Sequence, residues 1–365
     1  MKTTIIFIRW FVGLLFIFSG LVKANDPLGL SYKMQEFFEV WQWHGFNDYT
    51  LVASVVLNSF EIMAGAALLA GFAMRYVSWL LLLLILVFTA LTGYTFFTGM
   101  PKNCGCFGDC LPISSGVSFG KDVVLTVLIA VLLLLFKQAK QDLSIKRAAV
   151  VVVSTLFSVL LQFYSLSYLP PVDCLPYKQG SNISEGMKMP SNAIADSFII
   201  EFTYRKNGKE IRFPASDFPA DFSSDYEFVK REDKLVRKGS NNEPPIKSFA
   251  LMGSSGVDST TYILQTEQSL WIWASSVKSF EKWREDLNGL INLATDKGLP
   301  IFFITSQPKE AVIYLSAFDM KSIRVLSCDL KAIQTAARVD PTIMLVKKGT
   351  IEKKKSLLNW RSVIE

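Results

Sequence analysis

Apolar residues dominate the chain up to about residue 169, and beyond it polar and apolar positions mix as in an ordinary soluble protein. Five runs in the first part, Thr4–Leu21, Leu51–Phe72, Val77–Phe97, Ser118–Phe136 and Ala148–Leu169, approach the roughly 20 residues a helix needs to cross a bilayer. The fourth has a purely apolar core only over Val123–Phe136, so it must borrow Ser118–Asp122 or lie short in the membrane. Phe, Trp and Tyr gather near several run ends, where amphipathic rings sit at headgroup level. Pro170-Pro171 ends the fifth helix, because proline lacks the amide donor that a helix interior needs.

The second part changes period. Phe198–Tyr204 and Glu210–Phe213 flank Lys206-Asn-Gly208, a hairpin signal, since an Asn-Gly turn suits the twist of paired strands. From Ile246 strands and helices alternate: an opening hairpin at Phe249–Gly256, a strand at Ser269–Ala274, a helix over Phe280–Leu293, a strand at Leu299–Thr305, a helix over Glu310–Ala317 and a strand at Thr342–Val346. That alternation implies an α/β layer fold. The expected organisation is an α-helical transmembrane bundle at 1–169, a small β-rich connector at 170–245 and an α/β domain at 246–365.

Charge then orients the bundle. Lys2, Arg75, Lys137, Lys140, Lys146 and Arg147 all fall at one set of span ends, which the positive-inside rule makes cytoplasmic. The opposite loops and the whole C-terminal half then face the exterior, which in a bacterium is the periplasm. The first run also has the outline of a signal peptide with a small-residue site at Val22-Lys-Ala24, but Arg9 and its length argue against that. Cleavage would leave the outward loops where they are. The net charge of +6 is spread out, with no basic stripe interleaved with aromatics, so nucleic acid is excluded as an expected partner. The single histidine, His44, lies among Trp41, Trp43 and Phe46 and reads as an interfacial packing residue.

Candidate chemistry lies in two places. Three of the five cysteines, Cys104, Cys106 and Cys110, fall within seven residues of the outward loop between the third and fourth runs. A fourth, Cys174, follows the last run on the same side. Disulfides persist in an oxidising compartment. Cys104 and Cys106 are too close for a relaxed mutual disulfide, and either reaches Cys110 or Cys174 more easily. The loop supplies both an attacking thiol and a neighbouring disulfide, the two requirements of exchange. Lys102 favours a thiolate there, while Asp109 opposes it or accepts a proton. A structural clamp and a redox-active pair both remain open, and a zinc site is weaker because its cysteines are usually spaced further apart. The second place is intramembrane. Arg9 and Glu61 are costly in lipid and are expected to face the bundle interior and each other, as an ion pair or as a proton or quinone site. Lys121-Asp122 reads as a helix-start feature, and Cys328 as a small buried hydrophobe.

The run Arg9-Trp-Phe-Val-Gly-Leu-Leu-Phe-Ile-Phe-Ser-Gly-Leu-Val-Lys23, with Glu61-Ile-Met-Ala-Gly65 and Cys104-Gly-Cys-Phe-Gly-Asp109, resembles the DoxX family of bacterial membrane proteins, especially its branch related to MauE. Val172–Met187 is similar to members found in Bacteroidetes. The resemblance covers about the first 170 residues. It implies a four-helix core and a link to disulfide or quinone chemistry. The C-terminal part resembles the thioredoxin-like fold of the TlpA and peroxiredoxin type, through Trp273-Ala-Ser275 and Val339-Asp-Pro341-Thr342, and Pro341 takes that fold's cis-proline position. Where such proteins carry Cys-x-x-Cys this chain reads Ser275-Ser-Val-Lys-Ser-Phe280, so the domain has no thiolate there. Two functions follow as expectations. One is an inner-membrane protein tied to periplasmic thiol–disulfide chemistry, with quinone as a candidate cofactor. The other is a non-catalytic anchor that uses the cysteine-free domain to bind a periplasmic partner or a larger envelope complex.

Overall fold

The structure is a computed structural model that describes residues 2–101, 108–136, 143–237, 239, 241–318, 320 and 322–364. Six helices build the first part: α1 (Lys2–Asn25), α2 (Pro27–Val40), α3 (Thr50–Ala70), α4 (Met74–Thr98), α5 (Ser115–Phe136) and α6 (Ile145–Tyr168). All but α2 are long and apolar enough to cross a membrane, matching the five apolar runs. Their outward faces carry exposed Phe7, Leu83, Leu134, Leu160 and Phe163, as expected where the solvent is lipid, while Val12, Leu68, Leu81, Leu125 and Ile129 fill the centre. This first part is a multi-pass membrane module.

Small residues bring α1 and α3 together. A Cβ on Gly65 would stand 2.7 Å from the Gly13 carbonyl oxygen, and one on Gly20 would meet the Ile62 side chain at 2.6 Å. Close backbone approach of this kind compensates for the missing hydrophobic drive between helices in lipid. Polar side chains act as further glue. Gln162 of α6 accepts from Asn58 Nδ2 (3.1 Å) and donates to Ser59 Oγ (2.9 Å), both on α3. The α2 helix, too short to stand out as a span, starts at Pro27 behind the Asp26 cap, whose Oδ1 accepts from the Gly29 amide at 3.1 Å.

After α6 and the one-turn helix α7 (Ile183–Gly186) comes a three-stranded antiparallel sheet in the order β2-β1-β3: β1 (Ser197–Lys206), β2 (Lys209–Pro214) and β3 (Glu227–Arg237). Asn207 and Gly208 make the tight β1–β2 turn with φ of 50° and 76°, at the Asn-Gly pair expected to form it. One face of the sheet holds an aromatic cluster in which Tyr204 stacks on Phe213 at 5.5 Å.

The last part follows the one-turn helix α8 (Thr260–Leu264). Its five-stranded sheet has the order β6-β5-β4-β7-β8, from β4 (Ser269–Ala274), β5 (Ile301–Thr305), β6 (Ile323–Ser327), β7 (Thr342–Lys347) and β8 (Thr350–Ser356). β4, β5 and β6 are parallel, and β7 and β8 run antiparallel to their neighbours. Every residue of β4 is buried. Leu270, Ile272 and Ala274 enter one core with α9 (Phe280–Asp296) and α10 (Pro308–Ala317), while Trp271 and Trp273 enter a second with α11 (Leu330–Ala336). A short α12 (Arg361–Ile364) closes the chain. The opening hairpin expected at Phe249–Gly256 does not form. Met252 instead makes isolated bridges to Asp258 and to Ser327 at the end of β6, because Gly253 and Gly256 turn the chain before a ladder can extend.

Candidate thiol site and intramembrane ion pair

The helix α4 stops at Gly99, whose φ of 71° only glycine adopts without strain, and the loop leads off from there. Cys104 and Cys106 lie outside the described residues. Cys110 forms a disulfide with Cys174, with Cα atoms 4.9 Å apart and 64 residues of chain between them. The bridge ties the loop after α4 to the segment after α6. Around it, Asn25 at the end of α1 reads both backbone groups of Val172, donating to its carbonyl at 2.8 Å and accepting from its amide at 3.0 Å.

Two residues of the C-terminal domain reach down to the same place. Arg338 Nε donates to Asp26 at 2.8 Å and its Nη2 donates to Asp109, the neighbour of Cys110, at 2.6 Å. Lys354 of β8 donates to Asp173, the neighbour of Cys174, at 2.7 Å. Each disulfide cysteine is thus preceded by a carboxylate held by a buried cation of the soluble domain. Burial works against the Arg338 charge, but Asp26 and Asp109 outweigh it and its pKa is raised. At Lys354 burial outweighs the attraction of Asp173 and the pKa is lowered. Tyr32, whose ring lies 5.3 Å from the Arg338 guanidinium, is pushed up to about 12, chiefly by burial.

Two residues further along, Asp340 accepts from the Ser275 amide (2.9 Å) and hydroxyl (2.5 Å), and the Asp340–Pro341 peptide is cis. Burial raises the Asp340 pKa, with the Ser275 hydrogen bonds opposing it. The segment 338–341 therefore grips the membrane loop with one end and the cysteine-free Ser275 corner with the other. Cys328 is buried and unpaired, and burial pushes its thiol up to about 11.

Inside the membrane the expected Arg9–Glu61 approach is corrected. Glu61 pairs with Lys23 of α1, both fully buried, and Lys23 also lies 4.9 Å above the Phe88 ring. Arg9 sits fourteen positions earlier on α1, at the far end of the helix, where its guanidinium is beside Gly71 and Arg147. One turn of helix rises about 5.4 Å, so no rotamer of Arg9 spans that gap. Lys121 donates to Asp122 at 2.5 Å, and the second oxygen of Asp122 accepts from Thr92 of α4 at 3.0 Å, so this pair couples α5 to α4 rather than only opening α5. Lys23, Asp26, Arg338 and Lys354 carry no motif that assigns them to these contacts. Only Lys23 left a signal, as a charge within reach of an apolar run.

Residues 1–136 match the family model described as Methylamine utilisation protein MauE, a membrane-associated family. Residues 198–238, the three-stranded sheet, match a domain of unknown function, DUF8463. No curated protein matches the chain. The crystal structure of yeast Sco1 is similar at 20% identity, over 30% of this chain and 81% of that one, with a TM-score of 0.24, a likeness too slight to carry fold or function.

Proposed function

We propose that this protein takes part in thiol–disulfide chemistry at the outer face of a bacterial inner membrane, with Cys104 and Cys106 as the exchanging sulfurs beside the Cys110–Cys174 disulfide. The observation that carries the reading is that disulfide, placed in a loop whose sequence holds two further cysteines four and six residues before Cys110. A thiolate of Cys104 or Cys106 attacks one sulfur of the bridge, one S–S bond forms as another breaks, and the displaced sulfur leaves as a thiolate. That interchange moves no net electrons; oxidation of a client dithiol needs an acceptor, for which a quinone is the candidate class. The MauE match, the DoxX-like motifs and the lysine and arginine bias of the span ends support the membrane side of the reading.

A second reading has its own support. The strand order and the directions of β4 to β8 favour a thioredoxin-like domain, and the corner where such domains carry their cysteines holds Ser275 locked onto Asp340. Such a domain works as a fixed cover or partner-binding module over the loop, with domain limits near 169 and 245. Differential alkylation of the purified protein across a glutathione series separates the two. Exchange requires that Cys104 and Cys106 change state with potential, and that Cys104→Ser or Cys106→Ser alters the reduction of Cys110–Cys174. If the sulfurs hold one pairing throughout and the variants change only stability, the exchange reading fails, and a stoichiometric partner recovered in mild detergent would then favour the module.

A further inference from the structure

Helices α1 to α5 line a cavity of about 350 Å³, within the range that takes a small-molecule head group. Its walls are apolar, with Leu57, Phe60, Leu84 and Phe88 among them. Leu80, Leu83 and Val87 of α4 also line it and are exposed on the outer, lipid-facing side of the bundle, so its mouth opens to the hydrocarbon. Lys33 and Met34 of α2 extend it to the cysteine-loop end of the bundle.

The polar floor is the Lys23–Glu61 pair. Glu61 is 0% exposed, and its Oε2 has no hydrogen-bond partner while Oε1 takes the Lys23 ammonium. A carboxylate oxygen left bare at such depth is expensive. Lys23 in turn has three donors, one of which is spent on Glu61. The other charged groups along the cavity have carboxylate partners of their own: Lys33 holds Glu36 at 2.9 Å and Lys121 holds Asp122 at 2.5 Å. The site is thus charge-balanced, presenting one unused acceptor beside unused donors. An anionic head would meet Glu61 and a cationic one Lys23. A neutral hydroxyl satisfies both, donating to Oε2 and accepting from Nζ.

We infer that this cavity binds a neutral bilayer amphiphile with a hydroxyl head, its tail leaving past Leu83 and Val87 into the lipid. Two sources share that chemistry, a hydroquinone carrier and a hydroxyl-bearing glycerolipid. The inference uses no cysteine and stands apart from the thiol reading, so either can fail alone.

The test titrates the delipidated full-length protein in detergent with decylhydroquinone, decylquinone and dioctanoylglycerol, reading bound ligand by native mass spectrometry. One hydroxyl-headed probe is expected to bind at one per chain, and which of the two does so names the source. Lys23→Met with Glu61→Leu, an apolar replacement of the whole pair that preserves packing, should weaken it at least ten-fold. Leu84→Trp, which fills the cavity and leaves the pair intact, should do the same. If decylhydroquinone is the ligand, decylquinone should bind several-fold more weakly, because a carbonyl offers Oε2 no proton. Absence of saturable binding, equal affinity in wild type and both variants, or a quinone as tight as its hydroquinone would each overturn the inference.

Discussion

Lys23 and Glu61 hold opposite charges buried inside the bundle, and the sum of the two is what the bundle tolerates. Removing one partner strands the other. Lys23→Met is therefore expected to cost about 3–5 kcal/mol, and adding Glu61→Leu should recover most of it, as measured by thermal melting in detergent. A single variant as stable as the double would show that the pair is not buried as described. Cys328 makes a prediction of the opposite sort. With its thiol pushed up to about 11 and its side chain in the core beside α11, it should resist iodoacetamide at pH 8 in the native protein and react fully after denaturation. Asp340 sets a pH dependence. Its folded pKa is raised above the ordinary carboxylate value of 3.8, so its contribution is most favourable below that pH and is lost as pH rises through the folded value. Asp340→Asn removes this titration, and the melting temperature of the variant should fall less than that of the wild type between pH 4 and pH 7.

At the scale of elements, the α1–α3 contact rests on backbone approach that no side chain can yield to. A Cβ on Gly65 meets the Gly13 carbonyl at 2.7 Å and the Ile17 amide at 3.0 Å, so Gly65→Val should force α1 off α3 and abolish folded yield on size exclusion, whereas Gly45→Ala, with open space around it, should be neutral. These helices were legible because runs of about twenty mostly apolar residues match the length a helix needs to span a bilayer. β4 and β5 were legible for a related reason, being buried on both faces and so uninterrupted. The omitted elements lack either signal. β3 reads Glu227-Phe-Val-Lys-Arg-Glu-Asp-Lys-Leu-Val-Arg237, an edge strand whose charged side chains face solvent and whose ladder to β1 is bulged. α2 has an apolar stripe too short for a span, and its place is set by tertiary contacts such as Ser31 to Thr50 at 2.8 Å. β6 and α11 are too short for a period to declare itself. In the site, sequence proximity revealed the cysteines and Asp109, but Arg338 lies 229 positions from Asp109, and nothing local in Ala336-Ala-Arg338-Val marks it as a membrane-loop ligand.

The whole molecule is held as one object at the place where its chemistry is proposed. The C-terminal domain sits on the bundle through Arg338 on Asp26 and Asp109 and through Lys354 on Asp173, and a disulfide joins the two segments that carry Asp109 and Asp173. A disulfide closing 64 residues restricts the unfolded chain by roughly 4 kcal/mol in the chain-entropy account. The bridge and Arg338 constrain the same loop from opposite sides, one joining it to the α6 exit and the other to the segment before Pro341. They should therefore couple. Arg338→Met leaves two carboxylates facing each other without their cation, which costs about 3–5 kcal/mol at a buried site. The loss should appear as faster amide exchange in residues 26–30 and 108–112 and as faster reduction of Cys110–Cys174 by dithiothreitol, while the exchange of β4 and β5 stays slow. Arg338→Lys keeps a charge without the planar fork that serves two carboxylates at once, and should recover only part of the protection. If Arg338→Met leaves both the loop exchange and the reduction rate as in wild type, the disulfide alone holds the loop, and the domain's grip on the thiol site is not the Arg338 contact.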